Sequence, residues 1–202
     1  MKRAKKKTDG KIKKMNNAGL TLTELIVTFA LLGLFMVAAT RVISYTIGIY
    51  YAASGSARGL QVSDMISGKI VGQIEGARAA QNPKVKSDGS GIDEISFVDS
   101  TGSNITISAS PQKQADGSSQ GMYMNIRYNE VTEGSVKYEA VDWRFDSKAY
   151  MGYTVKELRF EDPGDDYPDN VLKMTLVLSS GRYGDFTTTY YIKCVNVEKI
   201  EF

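Results

Sequence analysis

Glu24 is the residue whose chemistry most needs explaining, because it is the one charge in the 21-residue run from Leu20 to Thr40, LTLTELIVTFALLGLFMVAAT. A carboxylate within a spanning helix costs roughly 2.5–3.5 kcal/mol on insertion scales, so it requires a partner or a place at the headgroup level. A second candidate lies between Glu161 and Asn170, where Asp162, Asp165, Asp166 and Asp169 supply the oxygen-rich surroundings that Ca²⁺ takes as ligands. Their spacing is not that of an EF-hand, and a solvated acidic turn is the competing reading. Gly68, Gly72 and Gly76 recur every four residues and bare one side of a helix. That side could admit another subunit's backbone, pack closely within its own subunit, or simply weaken the helix.

Several chemistries are excluded by composition. The 202 residues contain no histidine, which removes Ser-His-Asp and Cys-His nucleophile systems and the usual His-containing zinc sites. The single cysteine, Cys194, allows no internal disulfide, and its place in the alternating run Thr189 to Val195 makes it an inert strand residue. No glycine cluster has the strand before it and the Lys-Ser/Thr after it that phosphate cradling uses. The expectation is a protein that is not an enzyme, with no cofactor other than the calcium ion considered above.

Charge and hydropathy then say what must position Glu24. The first 19 residues hold eight lysines and arginines against Asp9, a net +7, and the overall +2 therefore leaves −5 for everything after Gly19. A basic head could be a nucleic-acid arm. It runs directly into an apolar segment, however, and basic residues beside such a segment ordinarily stay cytoplasmic. At about 1.5 Å per residue the run from Leu20 to Thr40 matches a hydrocarbon core of about 30 Å. The uncharged stretch after Arg41 carries Tyr45, Tyr50 and Tyr51, residues suited to a membrane interface. This makes the chain a single-pass membrane protein with a cytoplasmic N-terminus and an extracytoplasmic C-terminus. The −5 balance beyond Gly19 does not favour nucleic acid as a partner.

The string Asn16-Asn17-Ala18-Gly19-Leu20-Thr21-Leu22-Thr23-Glu24-Leu25-Ile26-Val27 resembles the cleavage and methylation motif of type IV prepilins and type II secretion pseudopilins. The resemblance implies that a prepilin peptidase cuts between Gly19 and Leu20, removes the basic leader and N-methylates Leu20. It also implies that Glu24 is an assembly residue, neutralising the new amino group of a neighbouring subunit in the low-dielectric core of a filament. Partners would be the peptidase, other pilin or pseudopilin subunits, a membrane assembly platform and membrane lipid. The sequence departs from the family at Leu20, where phenylalanine is commoner. Met15 is an alternative start that would leave a very short leader.

Beyond the membrane run, Val62, Ile66, Ile70 and Ile74 recur every four residues, which predicts helix from Leu20 to about Ala80, some 90 Å long, with Gly55 and Gly59 as its weak point. Gln81 to Gly91 then carries strong turn chemistry. Strands are expected at Ile92–Val98, Asn104–Ser108, Gly121–Tyr128, Val136–Phe145, Val155–Phe160, Val171–Leu178 and Phe186–Val197. In the fourth, Val136, Tyr138, Ala140 and Asp142 would share one face, and Trp143 is assigned to the core. Ser110–Gly121 and Glu161–Asn170 are the long polar connections.

The fold class is therefore α+β, a long helix packed on a C-terminal antiparallel sheet, resembling the ladle shape of pilins. Its divisions are a leader over 1–19, a membrane or filament-core helix over 20–48, an amphipathic continuation over 49–82 and a sheet head over 83–202. The expected function is a structural subunit, a minor pilin or pseudopilin. The rivals are a membrane-anchored extracellular binding module that does not polymerise and, more remotely, an anchored hydrolase.

Overall fold

The computed structural model describes residues 21–78, 81–113, 119–133 and 136–202. The chain divides into two compact units, residues 1–48 and 49–202, and the helix α1 (Leu22–Glu75) contributes to both. In the first unit α1 begins where the Thr21 carbonyl accepts the Leu25 N–H at 3.1 Å, two residues later than the pattern predicts. Its side chains are apolar on every side, and its large hydrophobics are exposed. The hydroxyls of Thr28, Thr40 and Thr46 donate to the carbonyls of Glu24, Met36 and Val42, one turn back, so none is left to seek water.

In the second unit the helix becomes one-sided. Val62, Ile66, Ile70 and Ile74 are all buried and form the middle of the core. Alternation does the same for the strands. Ile95 and Phe97 of β2 (Glu94–Val98), Ile105 and Ile107 of β3 (Asn104–Lys113) and Met124 and Ile126 of β4 (Ser119–Tyr128) point inward. With β1 (Lys84–Lys86) and β7 (Val141–Arg144) they make an antiparallel sheet in the order β1-β2-β3-β4-β7. A second sheet, β10-β9-β8, is built from β8 (Thr154–Glu161), β9 (Val171–Ser180) and β10 (Gly184–Lys193). It contributes Leu158, Phe160, Leu172, Met174, Leu176 and Leu178.

Hydrogen bonds tie the two sheets where the residues just before β2 meet β8. The Asp93 N–H donates to the Leu158 carbonyl at 2.7 Å, the Leu158 N–H donates to the Gly91 carbonyl at 2.9 Å, and the buried Asp93 carboxylate accepts the Phe160 N–H at 2.9 Å. A second tie is Tyr150, fully buried at the end of the short 3-10 turn Ser147–Tyr150, whose hydroxyl accepts the Met124 N–H of β4 at 2.9 Å.

The strand β10 and the hairpin turn before it lie along α1, and contacts advance in step on both. Tyr183 meets Gly55, Phe186 meets Gly59, the Thr188 and Ser63 hydroxyls share a hydrogen bond, and the Tyr190 hydroxyl donates to Asp64 Oδ1 at 3.0 Å. Tyr153 adds a donor to the Gly55 carbonyl at 3.0 Å. Gly55 and Gly59 are thus not a weak point. Both are helical and buried, and a Cβ on Gly59 would stand 2.6 Å from Phe186 Cγ.

Other expectations also need correction. The stretch Val136–Phe145 is not one strand: β6 (Val136–Tyr138) pairs with β5 (Val131–Glu133) as a hairpin, the chain breaks at Glu139-Ala140, and β7 pairs with β4. Val136, Tyr138, Ala140 and Asp142 therefore do not share a strand face. Trp143 is half-buried at the margin of the core, edge-on to Phe145 and beneath Lys69 Nζ at 4.8 Å. The connection read over Ser110–Gly121 is shortened by the extension of β3 and β4, and β1 forms inside a stretch read as a turn. The last strand ends at Lys193, before Val197.

Gly59→Ala should lower the stability of the folded part by roughly 1–3 kcal/mol, outweighing the ~1 kcal/mol that alanine returns to a helix. Gly68→Ala and Gly72→Ala, where a Cβ would meet nothing within 4 Å, should raise it by up to about 1 kcal/mol. Urea unfolding of the full chain in micelles, followed by Trp143 fluorescence, checks both signs. Burial pushes the Tyr150 phenol up to about 12, so its contribution is intact below pH ~10 and is lost as pH rises through the folded value. Tyr150→Phe should cost about 1–3 kcal/mol at neutral pH by orphaning the Met124 N–H. It should also lose less stability than the parent between pH ~10 and ~12 in alkaline unfolding curves.

Candidate functional site

Glu24 stands in the first turn of α1, three residues after Thr21, and the two residues cap the helix reciprocally. Glu24 Oε2 accepts the Thr21 N–H at 2.9 Å and the Thr21 hydroxyl at 2.9 Å, while Thr21 Oγ1 accepts the Glu24 N–H at 3.3 Å. The Thr23 hydroxyl lies 3.1 Å from that of Thr21. This is a capping box. It satisfies two backbone N–H groups that have no partner within the helix, and it places a negative charge at the positive end of the helix dipole.

Past this box the first unit carries no charge before Arg41. Leu22, Leu34 and Phe35 each expose about two thirds or more of their surface, and every side of the helix is alike in this respect. Apolar surface of that extent is costly in water, and among the described residues α1 is the helix long and apolar enough to cross a membrane. The arrangement combines a buried-type surface, a single carboxylate in the first turn and a glycine five positions before that carboxylate.

Residues 14–40 carry the prokaryotic N-terminal methylation motif.

That motif is the signature of type IV prepilins and pseudopilins, the substrates of prepilin peptidase. The apolar helix just after it fits a single-pass membrane anchor. Searches of curated proteins and of solved structures each found no match.

Gly19 and Leu20, the expected cleavage and methylation residues, lie outside the described residues. Gly68 and Gly72 are exposed with open space where a Cβ would stand, and Gly76 sits in the turn that ends α1. Gly68 and Gly72 are therefore not packed inside their own unit. Asp162, Asp165 and Asp169 line a cleft of about 510 Å³ with Tyr167, Lys199 and Glu201. Among the described residues, however, no group of three or more Asp, Glu or Cys side chains is gathered to hold a metal ion. Asp162 instead accepts the Gly164 N–H at 2.8 Å, as a turn residue does. Cys194 is fully buried just past β10, and burial pushes its thiol up to about 11, where it is almost wholly protonated at neutral pH.

Thr21 is the partner of Glu24 that the expectation from hydropathy does not include. Its signal is local: Thr21-Leu22-Thr23-Glu24 has the S/T-x-x-E form of a capping box ahead of an apolar run. Thr21→Val removes the hydroxyl arms and keeps the shape. It should destabilise the first turn by about 1 kcal/mol, read as faster amide exchange at Leu22–Leu25 in micelles with exchange around Ile70 unchanged.

Proposed function

We propose that this chain is a non-enzymatic structural subunit, a minor pilin or pseudopilin of a type IV pilus or type II secretion-like filament. The observation that supports it best is the coincidence of the methylation motif with a helix whose first turns are apolar on all sides and, up to Arg41, charged only at Glu24. A single anchor needs no carboxylate in its first turns, whereas a helix that leaves lipid for a bundle of its own kind gains from one. In this reading the basic leader stays in the cytoplasm and residues 49–202 lie outside the membrane.

Cleavage between Gly19 and Leu20 creates an ammonium group one residue before Thr21, and methylation leaves its charge in place. In the assembled filament Glu24 of one subunit meets the Leu20 ammonium of its neighbour. Two such charges about 4 Å apart interact by roughly 4 kcal/mol at an effective dielectric near 20. That attraction competes with the two hydrogen bonds from Thr21, so the capping box keeps the carboxylate satisfied in the membrane store until a neighbour arrives. The work of extrusion comes from a separate motor, since no nucleotide-binding fingerprint occurs in the sequence.

Co-expression with a prepilin peptidase, followed by intact mass and N-terminal peptide analysis, tests the reading. The expected product begins at Leu20 with one methyl group, is absent from Gly19→Ala, and is still cut but fails to enter filaments in Glu24→Ala. A chain left uncut where a known prepilin is cut would refute the proposal and leave the anchored binding module as the better account.

A further inference from the structure

Within the second unit, the first two turns and more of α1 are held from outside rather than by their own side chains. The stretch reads Tyr51-Ala52-Ala53-Ser54-Gly55-Ser56-Ala57-Arg58-Gly59, and its two buried positions are Gly55 and Gly59. From Val62 onward the helix sends valine and isoleucine side chains into the core, but over 51–59 it sends none. Glycine keeps its backbone freedom and serine competes for backbone hydrogen bonds, so both are poor helix formers. Ser54, Gly55, Ser56 and Gly59 together leave this stretch little reason of its own to be helical.

Its cover comes from the β9–β10 hairpin and from Tyr153. Tyr183 lies over Gly55 and Phe186 over Gly59. The Tyr153 hydroxyl donates to the Gly55 carbonyl at 3.0 Å, and the Tyr153 ring stacks on Tyr183 at 6.0 Å. Arg182 places its guanidinium 5.0 Å from the Tyr51 ring centroid, with Nη2 3.4 Å from the Tyr51 hydroxyl, and Arg58 reaches back over Tyr183 at 5.3 Å. The dependence runs both ways. The turn Gly181-Arg182-Tyr183 is seated by the same contacts, because the ring that Arg182 meets and the groove that Tyr183 enters exist only while 51–59 is helical.

We propose that the β9–β10 turn is a strap and residues 51–59 the helical segment it holds, and that the two open together below the free energy of global unfolding. When the turn lifts, the stretch loses its cover and unwinds. The stripe that begins at Val62 stays packed, because both sheets cover it. Nine residues then pass from about 1.5 Å to about 3.3 Å of length each, so release lengthens the chain that enters the second unit by up to about 16 Å. The device lies within the second unit and operates whether or not the chain enters a filament.

Native-state amide exchange of the full chain in micelles, with low urea to separate local from global opening, tests the coupling. Residues 51–59 and 181–183 should share one opening equilibrium, at least tenfold more populated than that of residues 62–74. Tyr183→Ala should raise exchange at 51–59 severalfold and leave 62–74 as it was, and the milder Arg182→Gln should act in the same direction. The reciprocal arm is Ser56→Ala, at an exposed position with no contact to the turn. It should slow exchange about twofold at 51–59 and, because coupling is mutual, at 181–183 as well. This arm requires no destabilised variant. Exchange at 51–59 that ignores both turn substitutions, or a turn that ignores Ser56→Ala, overturns the proposal. A rise at 62–74 equal to that at 51–59 in Arg182→Gln also overturns it and makes the turn part of the global core.

Discussion

The second unit depends on one interaction, the burial of the Val62/Ile66/Ile70/Ile74 stripe of α1. Both sheets turn their apolar faces to the cluster that contains it, and neither sheet alone has a second layer to cover those faces. With no disulfide in the chain, this packing and the hydrogen bonds around it hold the sheets together. The small residues that precede the isoleucines on the same helix matter as much as the isoleucines. Ser63, Gly55 and Gly59 let β10 and its turn come close enough to exclude water along the helix.

The same helix obeys a different rule in the first unit. In the proposed membrane or filament setting its surroundings are apolar, which favours pairing its polar groups within the helix itself. The threonine hydroxyls turn back to the backbone, and Glu24 turns back to Thr21. In the proposed assembly Glu24 must be tolerable before a neighbour's charge is present, and the capping box supplies that tolerance from within the chain.

Much of this was legible because its signals are local. The 3.6-residue period of the isoleucines, the two-residue period of β2, β3, β8 and β9, and the motif around Gly19 and Glu24 each lie within a short stretch of sequence. What failed to show depended on partners far along the chain. Gly55 and Gly59 resemble helix breakers until Tyr183 and Phe186 are placed over them. Val136–Phe145 alternates like one strand, yet its halves pair with different neighbours, and alternation does not register which neighbour a strand will find. Asp93 gave no sign of its role, because its acceptor duty toward Phe160 exists only once the sheets meet.

The co-directional series of contacts between α1 and the β9–β10 hairpin has a mechanical consequence. Tyr183 on Gly55, Phe186 on Gly59, Thr188 on Ser63 and Tyr190 on Asp64 are spread over about 14 Å of helix. A pull along the helix axis therefore loads all four at once, in shear, and none can yield without the others. A force that peels the hairpin away from the helix meets them one at a time. The attachment is accordingly strong in the direction in which a subunit drawn by its helix would be strained, and weak in the direction in which it could be opened.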